Sequence, residues 1–140
     1  MCLFTSDNTF RIATKDIRCY KVLAYYHHRI KEDRLATPYK DFRVSLGKTY
    51  RDSKPVDKFG SRNHWDVEGG VFHSYARKKD ALITRNALKS RYKNVYGAKV
   101  IVVSCIIPKG TKYYVGRCYI LPNIFKCYGS KRIKYIKEVR

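Results

Sequence analysis

Hydrophobic positions along the chain fall mostly into short blocks of strand character, with one stretch of helical spacing. Residues 18–26 (Arg-Cys-Tyr-Lys-Val-Leu-Ala-Tyr-Tyr) are rich in aromatic and β-branched types, which suit a pleated, half-buried surface and predict a strand. Residues 42–46 alternate apolar and polar, with Phe42, Val44 and Leu46 on one side, and stop at Gly47; this is the pattern of a half-buried strand. Residues 48–70 are polar, contain Pro55, Gly60 and the pair Gly69-Gly70, and predict a long irregular excursion. Ser74 is suited to cap a helix, and residues 76–92 hold neither Gly nor Pro. Ala81, Leu88 and Tyr92, seven and then four apart, give that helix one apolar stripe. Residues 99–107 form a continuous apolar run, as expected of a central strand covered on both faces.

Pro108-Lys109-Gly110-Thr111 is turn chemistry, because proline presets one corner and glycine relieves the other. Residues 112–121 return as a strand, so 99–121 is expected to form a β-hairpin, and a short strand over 133–136 closes the chain. The expected fold is α+β, a mostly antiparallel sheet with one long helix and a C-terminal β-hairpin unit. No repeat, low-complexity tract or linker divides it, so residues 1–140 are read as a single domain.

Charge changes this picture more than composition does. The chain is 44% hydrophobic, enough to bury a core, yet 31 Lys and Arg face 11 Asp and Glu for a formal charge of +20. Folding presses those charges together, a cost relieved by an anionic partner, whereas a net charge of roughly 2 to 8 suffices for solubility. The expectation is a polyanion binder, with nucleic acid (RNA favoured) or a ribonucleoprotein as partner and no cofactor.

The cations cluster. Arg77, Lys78, Lys79, Arg85, Lys89, Arg91 and Lys93 lie on the predicted helix, opposed by Asp80 alone. Three of them crowd its first turn, where the backbone dipole is already positive; a bound phosphate would relieve that conflict. A second run, Lys131, Arg132, Lys134 and Lys137 with Lys126 and Arg140 around it, forms an outward stripe if Ile133 and Ile136 pack inward. Many of the 13 tyrosines adjoin cations. Tyr113 and Tyr114 are neighbours, so on a strand one of them should leave the core and offer a base a stacking face. The aromatic RNP pattern, a G-x-x-G loop and a zinc finger are all missing from the sequence.

Five cysteines, Cys2, Cys19, Cys105, Cys118 and Cys127, show neither C-x-x-C spacing nor a neighbouring His cluster. This argues against zinc and for free thiols in a reducing compartment. Cys19, Cys105 and Cys118 sit in apolar surroundings, where a thiol behaves as a small hydrophobe. The N-terminus has no basic segment followed by an apolar run, and the longest apolar stretch, residues 100–108, is too short to span a membrane. A cytoplasmic protein without membrane contact is expected.

The sequence holds neither a P-loop nor a dinucleotide fingerprint. The best catalytic constellation is His64-Trp65-Asp66-Val67-Glu68-Gly69-Gly70-Val71-Phe72-His73, in which His73 with Asp66 or Glu68 could supply acid–base chemistry to a small nuclease or transferase. A binding role without catalysis is the leading expectation, and that enzyme is the alternative.

Three segments carry a resemblance: Asp16-Ile17-Arg18-Cys19-Tyr20-Lys21-Val22-Leu23, Gly69-Gly70-Val71-Phe72-His73-Ser74-Tyr75, and the run from Val102 through Pro108-Lys109-Gly110-Thr111-Lys112-Tyr113-Tyr114 to Gly116. Together they resemble small uncharacterised proteins of bacterial phages and prophages. The resemblance implies a mobile-element accessory protein working in the host bacterium's cytoplasm. It also suggests an inhibitor of a nucleic-acid-guided defence such as a CRISPR effector (an anti-CRISPR protein). The strand, Gly-x-Phe-His, helix, strand order is loosely similar to ADP-ribosyltransferases, though their catalytic Glu motif is missing after the last strands.

Overall fold

A computed structural model describes residues 3–4, 9–26, 34–37, 43–52, 57–58, 66–68, 71–120 and 122–140. Phe42, the Gly69-Gly70 pair, His64, Trp65 and Cys2 lie outside the described residues. The chain forms one antiparallel sheet and one helix. Its short strands are β1 (Leu3–Phe4), β2 (Arg11–Ile12), β4 (Arg34–Ala36), β5 (Arg43–Val44), β6 (Thr49–Arg51), β7 (Asp57–Lys58), β8 (Asp66–Glu68) and β9 (Phe72–Tyr75). The long ones are β3 (Ile17–Tyr26), β10 (Ala98–Ile107), β11 (Lys112–Ile120), β12 (Asn123–Ser130) and β13 (Arg132–Val139). Helix α1 spans Lys78–Tyr96. The sheet runs β6-β13-β10-β3-β9-β12-β11-β1-β8-β7, with β4 added to β3, β5 to β4, and β2 to β11. Three short strands, β6, β7 and β8, stand within the excursion expected over 48–70.

The sheet has two halves. In one, β10 lies between β3, with ten consecutive pairs from Ala98↔Tyr26 to Ile107↔Ile17, and β13. In the other, β11 lies beside β12 and β1. The halves meet where β3 and β9 share the pair Tyr20↔Tyr75. The hairpin expected over 99–121 is therefore corrected. Its turn forms, with Gly110 at φ 83° and the Thr111 N–H donating to the Pro108 carbonyl at 3.1 Å. Both edges of β10 are already taken, however, so the turn delivers the chain into the other half. The C-terminal hairpin is instead β11–β12, closed at Ile120↔Asn123.

Both faces of the sheet carry a core, which explains the unbroken apolar run of β10. Val100 and Val102 join Val22, Ala24, Tyr75, Tyr114, Phe125 and Cys127 on the helix side. Ile101, Val103, Cys105 and Ile107 join Cys19, Leu23, Ile133 and Tyr135 on the other. At roughly 25 cal/mol per Å2 of buried apolar surface, such a doubly covered strand anchors the fold. Ala81, Leu88 and Tyr92 do form the inward stripe of α1, with Leu82 and Ile83 beside them.

Ser74 is not the helix cap. It lies in β9 opposite Tyr128, so the ladder holds its backbone, and its buried hydroxyl has no hydrogen-bond partner among the described residues. The N-cap is Arg77, extended at φ −119° and ψ 139°, and makes no side-chain cap bond. At the other end Gly97 adopts the left-handed conformation at φ 60°, and its N–H closes the last turn on the Lys93 and Tyr92 carbonyls.

Candidate functional site

Six cations of α1 (Lys78, Lys79, Arg85, Lys89, Arg91 and Lys93) face one helical carboxylate, Asp80. That carboxylate is committed elsewhere. It is 2% exposed, and Arg77 donates to it through Nε at 2.9 Å and Nη2 at 3.3 Å. Among the described residues no carboxylate lies within ion-pair distance of Lys78, Lys79, Lys89, Lys93 or Lys99. Arg85 is half-buried and donates through Nε and Nη2 to the Asn86 side-chain oxygen.

Arg85, Lys89 and Lys93 follow one another at intervals of four residues, so they stack along one flank of the helix about 6 Å apart. Like charges at this spacing weaken a helix by a few tenths of a kcal/mol per pair. With Gly97, Ala98, Lys99 and Val100 they line a groove of about 410 Å3. The end of β13 leaves room for it. That strand stops at Val139 opposite Val102, so residues 98–101 of β10 have no described strand partner on that side. Four cations thus converge where the helix turns back into the sheet. Arg91, two residues after Lys89 and hence roughly 200° further round, belongs to the opposite flank.

The second basic run is brought only in part to the same side. Residues directly opposite in a ladder share a face, and faces alternate along a strand. Val102 points into the helix-side core, so Ser104 and Ile106 point the same way. Their ladder partners are Tyr20 and Arg18 on β3, and Lys137 and Lys134 on β13. A bulge at Ser104/Cys105 leaves Ile136 unpaired and sets this register. Exposed Arg18, Lys134 and Lys137 therefore emerge on the helix-bearing face. The row Tyr75–Tyr20–Ser104–Lys137 begins three residues before α1, which places them at the end where Lys78 and Lys79 stand. Lys131 does not join this stripe, and Arg132, on the face of Lys134 by alternation, is tied down beside it. Lys131 carries the chain between halves, its N–H donating to the Lys112 carbonyl, and Arg132 Nη2 donates to the Lys109 carbonyl at 3.4 Å.

Of the two tyrosines expected to offer a stacking face, Tyr114 is withdrawn into the core and Tyr113 is half-buried. Adjacent strand residues do point oppositely, but here both directions lead into a core. Tyr114 is 6% exposed on the helix side, and burial pushes its hydroxyl pKa up. Tyr113 packs edge-on against Tyr128 on the other side, with centroids 6.0 Å apart. The acid–base constellation is not assembled along the sheet either. His73 is on β9 while Asp66 and Glu68 are on β8, four strand places away at about 4.8 Å each. His73 does accept the Lys21 ammonium on its carbonyl oxygen. Cys19, Cys105, Cys118 and Cys127 are free and buried, with Cys19 directly opposite Cys105.

Lys99 and Arg18 are the members of the site that sequence reasoning missed. Each was absorbed into a predicted strand; the signal for Arg18 was its polar place beside Cys19 in the alternation. No described helix is long and apolar enough to cross a membrane. No protein-family model, curated protein or solved structure matches this chain.

Proposed function

We propose that the protein binds a polyanion, nucleic acid or a ribonucleoprotein, through the groove between the C-terminal half of α1 and the start of β10. The observation that carries this reading is that Arg85, Lys89, Lys93 and Lys99 line one groove with no described carboxylate in ion-pair distance of its three lysines. Helix stability alone would select against the repeated like-charge spacing, whereas a phosphate backbone exploits it by releasing its counterions. The binding is non-catalytic, with phosphates held by charge. Lys78, Lys79 and Arg91 add to the attraction from the rest of the helix. The resemblance to phage and prophage proteins makes a nucleic-acid-guided defence complex of the host bacterium the partner to test.

The test is a Lys89→Glu/Lys93→Glu/Lys99→Glu variant assayed against RNA, DNA and their protein complexes. Affinity should fall by at least tenfold while circular dichroism stays unchanged. Unaltered binding would remove the groove from the account.

A further inference from the structure

The groove lies at one end of α1, while Arg18, Lys134, Lys137, Lys78 and Lys79 lie at the other end of the same sheet face. We infer that these two cationic ends grip one double-stranded nucleic acid along its phosphate backbone, with Arg18, Lys134 and Lys137 forming a second contact site. The inference rests on the polyanion reading above and narrows the partner to a duplex.

Two observations support it. The first is length. A helix of 19 residues is about 28 Å long, and duplex rises about 3.4 Å per base pair, so the two ends span roughly eight base pairs. A stiff duplex holds phosphates in register over that distance, whereas a single strand must be ordered to do so. The second is the lack of stacking surface. Proteins that hold single strands combine a basic groove with aromatic faces for the bases. Among the described residues the exposed large hydrophobics are Phe10, Ile12, Leu46, Tyr119 and Ile124, and none of them is on α1, β3, β10 or β13. Tyr92, within the cationic stretch of α1, is buried at 6% exposure. Around these cations the described surface offers charge with no fully exposed aromatic ring, as suits a duplex backbone. RNA and DNA duplexes share this chemistry.

The experiment titrates the intact protein with fluorescently labelled duplexes of about 16 base pairs, twice the footprint, in RNA and DNA, and with the component single strands. It is repeated with an Arg18→Glu/Lys134→Glu/Lys137→Glu variant whose folding is verified by circular dichroism. The expected result is at least tenfold tighter binding to one or both duplexes than to their single strands. The variant should also have a duplex salt slope shallower by about 2.7, three contacts at roughly 0.9 each. Equal or tighter binding to single strands, or an unchanged slope in the variant, overturns the duplex grip while leaving the polyanion reading intact. Failure of every nucleic acid to bind overturns the duplex grip and restricts the polyanion reading to a ribonucleoprotein.

Discussion

At the scale of single residues, the end of α1 depends on one glycine. Gly97 needs its left-handed φ of 60°, and a Cβ there would meet no atom within 4 Å, so the cost of Gly97→Ala is conformational alone. Chemical denaturation should show a loss of about 1–2 kcal/mol with an unchanged m-value. Buried acids give a second expectation. Burial pushes up the pKa of the Cys105 thiol and of the Tyr135 and Tyr128 hydroxyls; hydrogen bonding to Cys118 and then burial do the same for Cys127. In each case the unfolded chain gives up its proton first and the native state holds on to it. Their stabilising contribution is complete below the unfolded values, 9.0 for the thiols and 10.0 for the tyrosines, and falls as pH rises above them. Thermal melting from pH 7 to 11 should therefore decline above about pH 9.

At the scale of elements, the reading of α1 and β10 from sequence succeeded because each rests on a local period. The stripe of Ala81, Leu88 and Tyr92 and the doubly covered run of β10 are written in neighbouring residues. Strand partnership is not. The Pro108–Thr111 turn is legible, but whether β10 then pairs with β11 depends on competition from β3 and β13, which lie far away in sequence. The same limit governed Tyr113 and Tyr114: alternation predicted their opposed directions, while the existence of a second core did not show. The site followed this rule too. The groove's helical cations could be read from their spacing, but Arg18 could not, because register alone brings it to the helix-bearing face, and neither could Lys99, which borders the groove only because β13 stops short of it.

A consequence for α1 follows from its like-charge spacing. Lys89→Glu replaces repulsion toward Arg85 and Lys93 with attraction, so at low salt it should raise stability by up to about 1 kcal/mol. The same substitution should weaken polyanion binding. Denaturation and binding measured on one preparation separate the two effects, and a loss in both would mean that Lys89 supports the fold.

At the scale of the whole molecule, a charge of +20 is tolerated because two cores flank the central strands and leave the cations at the surface. The most direct test of the account is the salt dependence of nucleic-acid affinity for the unmodified protein, measured on duplex and single-stranded probes. The groove alone, with four cations, predicts a duplex log–log slope near −3.6; adding Lys78, Lys79, Arg18, Lys134 and Lys137 takes it to about −8. A slope in that range is the predicted result. Affinity that stays constant as salt rises, or no binding at any salt, would contradict a protein built to hold a phosphate backbone.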